Sequence, residues 1–475
     1  MSHPDHPLTR RHWLQLAGLG AAAALGGRLG RAQAQTTGYK ALVCVFLYGG
    51  NDGMNAIVPT DTTRHGQYAG VRGALAIPRA SLVPLAGTAF GLHPSLAALG
   101  TAWTDGHLAP VFNVGPLYAP MTKAQFLAAP ANSALVPDNL FSHSDQQNLW
   151  ETGTTDALTR TGWGGRAAQA LATTNPVISV GGNGRFGLSA LNAPLVLPGP
   201  GSNFGAYELG QEPWRLGYAP TVARATALRA LYNQVQPTDL GNAYAKQQRD
   251  AFAVSERLAA LVRTLPGEPG AVAGIDAAFA PLIAGGRLTT PLANQLYQIA
   301  KLVAGRSTVQ GSRQLFFAQM GGFDTHGNQI GASAVEGEHA RLLRQLGDAM
   351  ACFYAAMKNL GLSDAVTLFT QSDFGRTFAP NNSGGTDHAW GNHHLVLGGA
   401  VKGSTTYGSY PQLVLGGAND VGVESWELQG RWIPTTSVDQ YAATMLGWFG
   451  ATEAQLDAVL PNLRNFGTQR RLAFL

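Results

Sequence analysis

The chain has 475 residues, 45% of them hydrophobic and only 13% charged, with 60 glycines and 26 prolines. That balance excludes a disordered, highly charged chain and describes a folded, loop-rich protein able to bury a sizeable core. The formal charge is +4, but four arginines and Asp5 fall in the first 34 residues; the remaining 28 basic and 27 acidic residues include no dense basic stretch of the kind nucleic acid requires.

The first 34 residues read as a removable leader. Arg10 and Arg11 precede a weakly apolar run of Ala, Gly and Leu, and Ala32-Gln33-Ala34 has the small-x-small form of a cleavage site. The arginine pair followed by Trp13 and Leu14 resembles the twin-arginine export signal. The apolar run falls short of the roughly 20 residues a membrane span needs, so the expectation is a periplasmic or secreted protein with no stable membrane span.

Residues 35–475 read as a single domain. "KALVCVFLY", closed by Gly49 and Gly50, predicts a buried strand of a parallel sheet, and further strand-length apolar runs follow at 108–115, 313–322, 365–372 and 393–401. A long helix is predicted from about Glu336 to Leu360, with Leu342, Leu343, Leu346, Met350, Phe353 and Met357 on one face. The alternation predicts an α/β fold with a doubly wound, mostly parallel sheet. Between 165 and 310, pieces punctuated by Gly and Pro and two helical stretches read as an insertion or cap. Cys44 and Cys352 sit in core-like patterns and read as buried thiols rather than a bridge.

In open α/β sheets ligands gather at the carboxyl ends of the strands. Asp52 follows the first strand, "GGFDTHGNQ" places Asp324 and His326 beyond the run at 313–322, and Asp373 directly follows the run at 365–372. "GTDHAWGNHH" brings Asp387 and His388 to the start of the last strand and His393 and His394 into it. Carboxylates and imidazoles without thiolate suit hydrolytic divalent ions, with zinc, manganese or calcium expected. Neighbours on a strand point to opposite faces, so His393 and His394 are not both expected as ligands. In "NLFSHSDQQ", Ser144 with Gln147 fits a capping box, and the same uncovered helix start suits an oxyanion. Ser142 or Ser144 is the candidate nucleophile, His143 a catalytic candidate beside them, and Arg376 a candidate bidentate grip on the oxyanion, a structural ion pair being its alternative.

The ordered run of "LYGGNDGMNAIVP", "SHSDQQNLWETG", "GGFDTHGNQ", "SDFGRT", "GTDHAWGNHHLVLGGAVKG" and "RWIPTTSVDQYAATMLGWFG" resembles the bacterial exported family named domain of unknown function 1501, over about Tyr39 to Phe449. That family looks like a divergent branch of the alkaline phosphatase and sulfatase superfamily. The resemblance implies an alkaline phosphatase-like sheet with two metals at its carboxyl edge. Asp52, the pair Asp324 and His326, then Asp373, and last His388 or His394 match the expected ligands. There are two departures: the pair is spaced D-x-H, and Phe374 stands where the superfamily has an imidazole. No cysteine or serine begins a formylglycine motif, which disfavours that sulfatase mechanism. The implied function is an exported metal-dependent hydrolase of a small phosphate or sulfate ester. The alternative is a non-catalytic cell-envelope binding or assembly protein, meeting an envelope partner through 165–310.

Overall fold

The computed structural model describes residues 38–130, 133–202, 204 and 218–475; the leader expected over 1–34 lies outside them. Strand β1 (Lys40–Leu47) is apolar on both faces. Ala41, Val43, Val45 and Leu47 enter one core cluster, and Leu42, Cys44 and Phe46 enter another, the pattern of a strand covered on both sides. With β2 (Leu108–Gly115), β3 (Ile178–Ser179), β4 (Leu195–Val196), β5 (Arg313–Met320), β6 (Val366–Ser372), β7 (Asn392–Leu397) and β8 (Thr436–Ser437), it builds an eight-stranded sheet in the order β8-β2-β7-β6-β1-β5-β3-β4. All neighbours pair in parallel except β7, which runs against both β6 and β2. The fold is thus the expected doubly wound, mostly parallel α/β sheet.

The helices used below are α1 (Gly53–Ala56), α2 (Thr62–Arg72), α3 (His143–Thr152), α4 (Trp163–Ala170), α5 (Ala219–Asn233), α6 (Asp239–Arg263), α7 (Pro291–Ala304), α8 (Glu338–Asn359) and α9 (Val438–Phe449). On one face of the sheet α7 and α8 pack over the first cluster; on the other, α4 and α9 close the second. The predicted stripe of α8, Leu342 to Met357, is at most 2% exposed at all six positions. Burial of each such side chain contributes about 1.5–3 kcal/mol.

The stretch 165–310 is not a body apart. β3 and β4 extend the main sheet, and α7 is buried along most of its length; the α5–α6 pair presents mostly exposed helix. Strands of two residues carry no period that a sequence could display, which is why this stretch reads as an insertion. Cys44 and Cys352 are buried free thiols. Among the described residues no helix is long and apolar enough to cross a membrane.

Candidate metal centre

The ends of β1, β5 and β6 are level, since Leu47 lies opposite both Met320 and Ser372. The loops carrying Asp52, Asp324 with His326, and Asp373 therefore leave from one edge. His388 precedes its strand, and a parallel β7 would have put it at the opposite edge. Because β7 is reversed, its approach lies at the carboxyl edge with the others. That approach is pinned to the loop after β6 by Gly375 N–H to Trp390 O (3.0 Å), Ala389 N–H to Gly375 O (2.9 Å) and Thr377 N–H to Asp387 O (2.9 Å). Gly375 permits the close crossing: a Cβ there would meet the Gly391 oxygen at 2.1 Å.

Here His143, the first residue of α3, meets Asp324, His326 and His388, with one donor atom from each lying within 4.8 Å of the rest. His143 Nε2 is 3.2 Å from Asp324 Oδ1, His326 Nε2 3.1 Å and His388 Nε2 3.6 Å. Ligands about 2.0–2.1 Å from a tetrahedral ion stand about 3.3 Å apart, so these edges suit one shared cation.

The second ring nitrogens assign the protons. His143 Nδ1 bonds Asp373 Oδ2 at 2.7 Å, His326 Nδ1 bonds Asp387 Oδ1 at 2.8 Å and His388 Nδ1 bonds the Phe141 carbonyl at 2.6 Å. An ionised carboxylate and a carbonyl only accept, so each neutral ring carries its hydrogen on Nδ1 and turns a bare Nε2 inward. Two bare nitrogens, on His326 and His388, then face each other at 2.8 Å, and buried His143 Nε2 has no hydrogen-bond partner. Lone pairs so placed repel one another and Asp324; a cation converts that repulsion into coordination. The residues fit a divalent ion, with carboxylates and a carbonyl behind the imidazoles in the usual manner of metal-binding histidines.

The charges agree. The hydrogen bond to Asp373 raises the His143 pKa against the opposing effect of burial. Burial lowers that of His388. Burial works to raise Asp324, but Arg376 outweighs it and holds the carboxyl below its usual range.

Several expected ligands stand elsewhere. Asp373 and Asp387 lie behind the ligands: Asp373 Oδ2 also accepts from Gly49 N–H (3.1 Å) and Gln147 Nε2 (2.9 Å), and Asp387 Oδ1 from Asn381 Nδ2 (2.9 Å). Asp52 turns away to cap α1 and pair with Arg72 of α2. His394 is carried by β7 into the sheet, against Trp150 with Thr370 Oγ1 at 3.3 Å, while His393 on the other face accepts from Asn113 N–H at 3.1 Å. Arg376 is buried, and its guanidinium is taken up by the carbonyls of Gly49, Gly50 and Thr386 and by Asp324, so its structural alternative describes it. The Ser144–Gln147 capping box does not form, because Ser142 is the N-cap and Gln147 is drawn to Asp373. Ser142 and Ser144 have their hydroxyls 3.3 Å apart at the rim, and among the described residues neither hydroxyl bonds a base.

The family model described as Protein of unknown function (DUF1501) matches residues 39–427. The chain belongs to the DUF1501 family. No curated protein matches this DUF1501 chain. Among solved structures it is similar to Ps i-CgsB in complex with k-i-k-neocarrahexaose, at 11% identity and TM-score 0.34, over 90% of this chain and 77% of that chain. It is similar to the PsFucS1 sulfatase from Pseudoalteromonas sp., at 11% identity and TM-score 0.33, over 94% and 76%. A variant of the alkaline phosphatase PafA gives 12% identity and TM-score 0.29, over 72% and 64%. Likeness at this level carries no argument about activity.

Proposed function

We propose that the DUF1501 chain is an exported metal-dependent hydrolase of a phosphate or sulfate ester, acting in the periplasm or outside the cell. One observation carries the reading: three imidazoles with committed Nδ1 hydrogens turn bare Nε2 atoms onto Asp324 at an accessible edge. His143, Asp324, His326 and His388 would hold the ion, with zinc and manganese suited to this donor set. When bound, the ion supplies a Lewis acid that makes water a nucleophile near neutral pH and offsets charge on the ester.

The chain's own residues do the rest. Asp373, Asp387 and the Phe141 carbonyl fix the rings and their tautomers. The side chains of Asp324 and His326, 49% and 44% exposed, leave the edge accessible to an ester. The first turn of α3 adds the positive end of a ten-residue helix beside it. With no base on Ser142 or Ser144, direct attack by water is favoured over a covalent serine intermediate.

A second reading, a binding or assembly protein without turnover, is favoured by Arg376, which is walled in and cannot orient an ester. The deciding experiment is elemental analysis of the protein purified after native export, followed by assay on aryl phosphates and sulfates with the metal found. Metal-dependent turnover lost in His326→Ala supports the hydrolase; bound metal without turnover on either ester class supports the second reading.

A further inference from the structure

Asp52, at the same edge as the metal cluster, is already neutralised from within. It has no exposed surface, and Arg72, equally buried, grips it with Nη1 to Oδ2 at 2.8 Å and Nη2 to Oδ1 at 2.7 Å. Gln329 Nε2 donates to Oδ2 at 2.6 Å and the Asn55 N–H to Oδ1 at 3.3 Å. Four donors use the roughly four lone-pair sites of a carboxylate, leaving none for an ion.

The neighbouring space is closed as well. The Phe374 ring, with no exposed surface, lies 4.8 Å from His143 and 4.6 Å from His388, and Gly50 backs onto it so closely that a Cβ would meet the ring at 2.4 Å. Of the four expected aspartates Asp52, Asp324, Asp373 and Asp387, Asp373 keeps a buried oxygen, Oδ1, without a protein partner among the described residues.

The Asp52–Arg72 pair is also wired to the ligands. Gln329 turns its amide oxygen to the hydroxyls of Thr325 (3.1 Å) and Thr386 (2.7 Å). Thr325 separates Asp324 from His326, and Thr386 precedes Asp387, the partner of His326.

We infer that the centre takes a single divalent ion, that the Arg72 guanidinium is the resident cation serving Asp52 where the superfamily resemblance implies a second ion, and that Gln329 is a positioning residue linking this anchor to both ligand loops. The inference rests on the metal reading proposed above. Native mass spectrometry of the folded chain titrated with zinc tests it. One ion held through excess zinc is expected. Two tightly held ions overturn the inference and leave the hydrolase reading standing; none overturns both.

Gln329→Leu tests the link and leaves the Asp52–Arg72 contact in place. It is expected to weaken zinc binding about 10–100-fold by chelator competition and to shift the visible spectrum of the cobalt-substituted protein. Unchanged affinity and spectrum overturn the positioning role. Should that variant not fold, Thr386→Val removes one of the two hydroxyls and is read the same way, with a smaller loss.

Discussion

At the scale of single residues, the centre depends on groups that would never touch the ion. Asp387→Ala frees the His326 ring to rotate and to change tautomer, and is expected to lower metal affinity about 10–100-fold by chelator competition; unaltered affinity would remove His326 from the ligand set. Asp52→Asn tests the opposite kind of residue. It disrupts a fully buried ion pair and leaves Arg72 without its counter-charge, so a stability loss of about 3–5 kcal/mol is expected in denaturant titration. That Asp324, His326 and His388 would come together at one edge was legible because D-x-H and a histidine-rich loop flank apolar runs. The role of His143 was not, since a histidine between two serines at a helix start reads equally as chemistry or as capping. Nor was the fate of Asp52 legible, because its partner is 20 positions away and nothing local marks the pair.

At the scale of elements, the direction of β7 decides the site. Apolar runs reveal that a strand exists and about where it ends, so β1, β2, β5, β6 and β7 were all found. They carry no sign of polarity: "HHLVLGG" reads alike in either direction, and only pairing with β6 and β2 reverses it. The crossing that follows from this reversal is tight at Gly375. Gly375→Ala must push away the Gly391 carbonyl, and with it the segment bearing His388. Thermal midpoint and metal affinity are both expected to fall; a variant that loses stability but retains full affinity would show that the crossing does not position His388.

At the scale of the whole molecule, buried histidines set the response to acid. Burial pushes the pKa of His93 down to about 4 and those of His339, His393 and His394 down to about 3. In the unfolded chain they titrate near 6.5. Below that pH the unfolded chain takes up protons that the folded chain refuses, so stability is full above about 6.5 and is lost as the pH falls towards 4. Asp439, raised by burial to about 7, and Glu151, also raised by burial, act in the opposite sense, holding protons in the folded chain that the unfolded chain releases. The four deeply lowered histidines set the sign over this range, and the thermal midpoint is expected to drop between pH 7 and pH 5 in a buffer series. A bound ion adds to stability at neutral pH: at free metal 100 times Kd it contributes about 2.7 kcal/mol, so chelation is expected to lower the melting temperature of the intact protein.

The four candidate ligands come from positions 143, 324, 326 and 388, and they are together only where β7 lies between β2 and β6. No nascent fragment holds the set, so under the metal reading an ion would meet all four only in a folded chain, and the compartment in which the chain folds would choose it. If the leader acts as a twin-arginine signal, whose substrates usually fold before export, that choice would belong to the cytoplasm and its buffered metal pool rather than to the medium outside. The ion found in a natively exported sample would then record the conditions of the protein's synthesis.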